Sequence, residues 1–234
     1  MSTFDPRNDL PDEFDGSVRM FPLPDLVMFP HVMQPLHVFE PRYRQMVEAA
    51  LDDDRLLAMA LLKPGWEPRY EGRPPVFPDA CLGRIATHYR LEDGRYHLLL
   101  HGICRARISR ELPPDQAFRE VVVKPAWDLY PTAGATRRGD LQRQILDRFR
   151  QILPDAAEIR QQLDQLLGGT LPLGALCDVI GYSLDFDRCF KQQLLAEPNV
   201  DHRARTLLEQ LENYAGTAPK IRGEDTFPPD FSLN

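Results

Sequence analysis

The 234-residue sequence has few of the features that nucleic-acid-binding and membrane proteins display. Lysine occurs at only four positions, and Asp and Glu outnumber Lys and Arg by 35 to 28. The resulting net charge of -7 opposes nucleic-acid binding, because phosphate contacts draw their affinity from clustered basic side chains. No apolar run approaches the length of about 18 residues that a membrane helix needs, so we expect no membrane association.

Cysteines are also few and are spaced in no pattern that suggests a shared site. Cys81, Cys104, Cys177 and Cys189 lie in separate apolar segments without a C-x-x-C motif. This predicts reduced core thiols rather than a disulfide framework or a zinc site. The acidic N-terminus lacks the basic and apolar regions of a secretory signal. We therefore expect a cytoplasmic protein without a metal or other cofactor.

Motifs for nucleotide hydrolysis and for serine catalysis are absent from the sequence. There is no G-x-x-x-x-G-K-[ST] loop, and even the dipeptide Gly-Lys does not occur. No serine lies in a G-x-S-x-G elbow. Ser183 precedes a predicted helix and is better explained as its cap, together with Asp185. We assign no catalytic residue, and a hydrolase is an alternative that the motifs do not favour.

Proline placement and hydrophobic periodicity predict an α+β protein in four segments. Residues 1–17 are expected to form a flexible acidic leader and residues 18–128 a proline-rich β domain. Residues 137–214 carry helical stripes, with Leu163, Leu166 and Leu167 in the second helix. Pro172 is expected to open a third helix that Gly181 ends. Residues 215–234 are polar and proline-rich, which predicts a disordered tail.

Two local patterns within the β domain are clear. Apolar residues recur at helical spacing over residues 41–51, with Pro41 in the first turn, and a buried strand is predicted to follow at residues 55–63. The pair Asp93-Gly94 is typical of a two-residue type I′ hairpin loop, which pairs Tyr89 with Leu98 and points Tyr89 inward.

That hairpin register predicts one polar face on which histidines and arginines lie together. His88, His97 and His101 share this face, but a flat sheet without carboxylate or cysteine ligands does not favour a metal site. The face is a candidate contact surface for a partner or for the helical domain, with simple solvent exposure as the alternative. Its candidate contact residues are Arg90, Arg95, Arg105 and Arg107.

The proline-punctuated segment at residues 27–43 is unusually rich in aromatic, histidine and methionine side chains. Such residues can line an apolar groove that accepts extended peptide. For each of them, packing into the core of a small barrel is the alternative. The candidate binding residues are Phe29, His31, Met33, His37, Phe39, Arg42 and Tyr43.

Several runs of residues resemble the substrate-binding N-terminal domain of Lon-type proteases. The matching runs are FPLPDLVMFP (residues 21–30), PLHVFEPRYR (35–44), LGRI (82–85) and DGRYHLLLHG (93–102). The C-terminal helical region also fits the family, with KQQLL at 191–195 and an arginine-containing last helix at 203–211. The likeness spans residues 18–214, and its first motif is specific.

The resemblance implies a PUA-like β pseudobarrel followed by an α-helical bundle. In this family the domain engages unfolded or degron-bearing polypeptides, while the ATPase and peptidase activities belong to separate AAA+ and peptidase domains. Neither is recognisable here, so we expect a freestanding, noncatalytic module that binds exposed apolar polypeptide. A protease or chaperone is a further expected partner class. RNA binding, known for PUA domains proper, is the alternative that the acidic balance opposes, and the oligomeric state is left open.

Overall fold

The computed structural model describes residues 10–11, 13–152, 171–214 and 232–233. The chain divides into two compact units, Met1–Trp127 with Asp225–Asn234, and Asp128–Glu224. The first is built mainly from strands and the second from helices, so the expected α+β class is confirmed. In the ranges described, no helix combines the length and apolar character needed to cross a bilayer.

A closed ring of strands forms the first unit. β1 pairs with β3 and β6, β3 with β4, β4 with β5, and β5 with β6. Within the ring only β1 and β3 run parallel. The predicted pseudobarrel is therefore confirmed. The helix and strands of the first unit are β1 (Ser17–Leu23), β2 (Met33–Val38), α1 (Pro41–Leu51), β3 (Leu56–Leu61), β4 (Asp79–Arg90), β5 (Tyr96–Glu111), β6 (Arg119–Ala126) and β7 (Ser232–Leu233).

The core of the ring agrees with the apolar patterns of the sequence. All six residues of β3 are buried, as the continuous apolar run predicts for a strand covered on both faces. Helix α1 occupies the predicted residues and starts with Pro41, whose fixed φ suits the first turn. Its buried stripe consists of Tyr43, Met46, Val47 and Ala50.

Strand β5 has different partners along one of its edges. Its other edge pairs with β4, whereas residues 96–101 pair with β2 and residues 105–111 pair with β6. The change occurs around Gly102, where the amide donates to the Val32 carbonyl at 2.9 Å and the carbonyl accepts from the His31 amide at 2.8 Å. These two bonds hold the loop before β2, so that β2 starts beside the first half of β5 and outside the closed ring.

The β4–β5 hairpin differs by one residue from its predicted register. Leu91 donates its amide to the Arg95 carbonyl at 2.8 Å, which leaves a three-residue loop, and Gly94 adopts φ +81°. An Asp-Gly pair also suits this loop, in which the glycine takes the left-handed position. A one-residue slip reverses the faces of a strand. Tyr89 therefore pairs with His97 instead of Leu98 and lies 66% exposed.

Parts of the predicted leader and tail have definite structure. Leu10 and Phe14 pack against the apolar core of the ring, and Gly16 accepts a hydrogen bond from the Val123 amide at 2.8 Å. At its described end, the segment predicted to be a flexible leader thus contacts the core through two apolar residues. Within the segment expected to be disordered, Ser232 and Leu233 form β7.

The second unit contains four described α-helices, α2 (Arg138–Ile152), α3 (Leu173–Ser183), α4 (Arg188–Ala196) and α5 (Val200–Tyr214). The predicted helix around residues 163–167 lies outside the described residues. Pro172 precedes α3 as predicted, but the helix continues past Gly181. The Ser183 hydroxyl donates to the Val179 carbonyl at 2.7 Å within α3, so the predicted cap is wrong. Asp187 caps α4 instead, and Cys189 is exposed, contrary to the core position expected for it.

Two charged residues in the described part of the second unit, Arg203 and Asp178, are completely buried. Arg203 on α5 donates to an Asp128 carboxylate oxygen and to the Glu197 carbonyl, both at 2.7 Å, and its Nε lies 3.5 Å from Asp178. Coulombic attraction to these two carboxylates outweighs the effect of burial and raises the pKa of Arg203 further. The apolar stripe predicted for this helix gave no sign of an inward arginine.

We expect Gly102→Ala to destabilise the first unit by about 1–3 kcal/mol. An added Cβ would lie 2.1 Å from the Phe29 carbonyl oxygen, which is backbone and cannot rotate away. Urea unfolding measures the change. The control is Gly139→Ala in α2, where the same atom meets nothing within 4 Å and should be neutral or slightly stabilising. Equal stabilities of the two variants would contradict the proposed role of Gly102.

Candidate functional site

Alternate residues of β2, β5 and β4 point away from the interior of the ring and form one surface, here called the outer face. The register pairs Met33 with His101, Pro35 with Leu99, and His37 with His97. The intervening residues of β2 and β5 are buried, which fixes the direction of the others. The outer face consists of Met33, Pro35, His37 and Phe39, of His97, Leu99 and His101, and of Arg84, Thr87 and Tyr89.

The outer face holds the exposed large apolar side chains of the first unit. Among the described residues of that unit, Met33 at 42%, Phe39 at 39% and Tyr89 at 66% are the large hydrophobic residues with high exposure. Isolated exposed apolar residues are ordinary, but several on one face of one sheet mark an interaction surface. The arrangement can bury apolar groups of another molecule.

His37 lies at the centre of this surface. Its ring centroid is 4.7 Å from that of His97 and 5.9 Å from that of Phe39. Burial lowers the pKa of His37, and His97 and Arg95 lower it further. The imidazole is therefore neutral at pH 7, and its buried Nε2 has no hydrogen-bond partner among the described residues. A neutral ring at this position can contact a polypeptide without a charge that must be desolvated.

The other residues proposed from segment 27–43 have different environments. Phe29 and Tyr43 are buried in the core, and Tyr43 packs on Phe21 with ring centroids 4.6 Å apart. For these two residues the core alternative is the one observed. His31 is half-buried in the loop before β2, with φ +65°. Arg42 lies on α1 and is not part of the outer face.

Arg42 and Tyr43 line a separate cleft of about 270 Å³ in the first unit. The guanidinium stacks 4.7 Å from the rings of both Tyr43 and Tyr70 and binds Glu40 at 2.8 Å. Burial and the hydrogen bond to Glu40 raise the pKa of Tyr70 to about 12. The other arginines of the cleft are also paired with a carboxylate, since Arg73 and Arg119 both bind Glu111. Such neutralised charge is poorly suited to attract an acidic ligand.

The predicted basic hairpin face does not form. Arg105 is 4% exposed, and Arg90 shares the face of Tyr96, where it binds Glu48 at 3.3 Å. Arg95 and Arg107 each pair with a carboxylate at 2.7 Å, from Asp93 and Asp79. Arg90 is absent from the predicted face because of the hairpin register, and Arg105 is absent because it is buried.

The same register changes which histidines share a face. It also places on the outer face a residue that the sequence pattern predicts to be buried. His88 pairs with buried Leu98 and so faces away from His97, while His37 of β2 lies beside His97 instead. The sequence pattern predicts Tyr89 in the core, but it is the most exposed of the large apolar residues on the outer face. Reading the Asp93-Gly94 pair as a three-residue loop would have placed it correctly.

Comparison with known proteins identifies the family. Residues 17–213 match the model of the ATP-dependent protease La (Lon) substrate-binding domain. The chain belongs to this family. It is 23% identical over 210 residues to the Lon protease of Desulfosudis oleivorans and 25% identical over 198 residues to that of Escherichia coli K12. These alignments cover 88% and 84% of this chain, but only 25% and 24% of the relatives, so the chain spans about a quarter of their length.

Solved Lon N-terminal domains share the fold. The N-terminal domain of a Mycobacterium avium complex Lon protease superposes with a TM-score of 0.66 at 18% identity, covering 85% of this chain and 99% of that one. A Lon N-terminal domain protein from Xanthomonas campestris gives 0.55 at 21% identity, covering 85% and 98%. The family predicted from the sequence runs is confirmed, and a substrate-binding module is the coarse role that it supports.

We expect the stability of the first unit to fall as the pH drops below about 6.5, in part through His37. The pKa of His37 is lower in the folded protein than in the unfolded chain, so on acidification the unfolded chain takes up a proton first. The native state therefore loses stability as the pH falls from the unfolded-state pKa to the folded-state pKa. Above the unfolded-state pKa, His37 is neutral in both states and does not contribute to the pH dependence of stability. Urea midpoints at pH 7.5 and 5.5 should differ less in His37→Gln.

The matched control for this measurement is His202→Gln, which removes an exposed histidine from the second unit. It should keep the pH dependence of the first unit unchanged. If His37→Gln retains the full wild-type dependence, His37 is not the group responsible.

Proposed function

We propose that this chain is a noncatalytic module that binds exposed apolar segments of unfolded or degron-bearing polypeptides on its outer face. The observation that carries the proposal is the convergence of Met33, Phe39 and Tyr89 on one exposed sheet surface. Membership of the Lon substrate-binding family supports it. A protease or chaperone would receive the bound client.

The chemistry of the outer face suits clients of varied sequence. Methionine is flexible and polarisable, and aromatic rings provide large contact areas with little loss of side-chain entropy. Neutral His37 between them adds contact area without a charge that would have to be desolvated. Such a surface recognises apolar character rather than a particular sequence.

Neither alternative function gains support from a specific contact. The arginines proposed for a basic face are buried or paired with carboxylates, which leaves less positive charge for RNA phosphates. Ser183, considered as a nucleophile, donates its hydroxyl proton to a backbone carbonyl. We therefore favour polypeptide binding over RNA binding and over hydrolysis.

Binding of a permanently unfolded, carboxymethylated client protein tests the proposal. Met33→Ser and Phe39→Ser should each weaken binding about tenfold, because each removes part of an apolar contact worth roughly 1.5–3 kcal/mol when fully buried. Fluorescence anisotropy with labelled client gives the dissociation constants, and circular dichroism confirms that each variant is folded.

Leu129→Ser provides the control, since Leu129 is an exposed apolar residue of the second unit. Its affinity for the client should equal that of the wild type. The proposal fails if the wild type does not bind at about 0.1 mM, or if all three variants bind as the wild type does.

A further inference from the structure

Strand β2 has one edge that is available outside the ring. Its first edge pairs with β5 over residues 33–38, and its second edge pairs with β7, from the C-terminal end of the chain. The second pairing is parallel and joins Leu36 with Ser232 and His37 with Leu233. The edge is thus able to accept an extended segment, and in this structure β7 is paired with it.

Half of this second edge is unsuited to strand pairing. Pro35 has no amide proton, and its carbonyl oxygen already accepts a hydrogen bond from the Gln34 side chain at 2.7 Å. Proline at the edge of a sheet is a recognised means of preventing further strand addition. The part that remains open begins at Leu36, which is where β7 pairs.

The open part lies next to the most apolar portion of the outer face. His37 and Phe39 point outward there, while Leu36 and Val38 are buried. An added strand would place every second side chain beside His37 and Phe39. Main-chain hydrogen bonds would provide affinity for any sequence, and these neighbours would select apolar side chains.

We propose that client polypeptide binds as an added strand, parallel to β2, on the edge that begins at Leu36, and that β7 occupies this edge as a tethered competitor. The inference rests on the proposed function and specifies how the outer face holds its client. The occupant is an extended segment with apolar side chains at alternate positions. Binding of the client requires that β7 leaves the edge.

The competitor is weak enough to be displaced. Its pairing with β2 spans two residues, and each net hydrogen bond contributes only about 0.5–1.5 kcal/mol. Its advantage is attachment to the same chain, which is equivalent to a concentration on the order of millimolar. A client that pairs over more residues and also contacts Phe39 can therefore replace it, whereas a weakly apolar segment cannot.

Two variants remove the competitor from the full chain. One lacks Asp225–Asn234, and the other, Leu233→Pro, keeps the length but removes an amide from β7. Both should bind the carboxymethylated client at least about threefold more tightly than the wild type does. A control variant, Asn234→Ala, lies next to β7 in the sequence and should bind as the wild type does.

Client binding by the wild type with unchanged affinity in both variants would overturn the competitor while leaving the proposed function intact. No binding by the wild type or by either variant would overturn the proposed function and this inference together. Urea unfolding of the variants shows whether the ring is still folded, and a loss of folding in one variant leaves the other as the test.

A reversible cross-link provides a second test that does not depend on removing residues. His37→Cys with Leu233→Cys places two thiols at a register pair, in a Cys189→Ser background that removes the exposed native thiol. The oxidised protein should bind client at least about tenfold more weakly than the same protein after reduction. Equal affinities of the oxidised and reduced forms would show that the client binds elsewhere.

Discussion

The pairing of β5 with two successive partners along one edge determines the arrangement of the first unit. Its second half closes the ring against β6, so its first half is left to pair with β2 outside the ring. The change of partner depends on the close approach of Gly102 to the Phe29 carbonyl, where a side chain would not fit. Because of this constraint, β2 has a covered inner face, an exposed outer face and an edge that is not part of the ring.

These three properties connect the fold to the proposed function. Apolar residues that point inward from β2 hold it on the core, while Met33 and Phe39 point outward and stay exposed. His37 lies between them, and burial, together with the neighbouring His97 and Arg95, lowers its pKa. The surface is therefore largely apolar along β2, and the sheet edge that β7 occupies over two residues adjoins it. A binding site for extended polypeptide needs both features.

Local patterns in the sequence predicted the elements well but not the direction of individual side chains. Helix α1 and buried β3 follow from periodicity over a few residues, and the family follows from its motifs. The sequence predicts Tyr89 in the core and misses its exposure, because Asp-Gly is compatible with two loops that differ by one residue. The inward position of Phe29 depends on contacts that are distant in sequence, as does the pairing of β7 with β2. No local pattern reports such contacts.

Site-specific photo-crosslinking tests the central claim most directly. A benzophenone amino acid placed at Phe39 or at Tyr89 reacts with whatever lies against the outer face, and the same group at Leu129 or Tyr130 samples exposed apolar positions of the second unit. With an unfolded client present, we expect cross-links from Phe39 and Tyr89 and none above background from the other two. Cross-links only from Leu129 or Tyr130 would contradict the account and place the binding surface in the second unit.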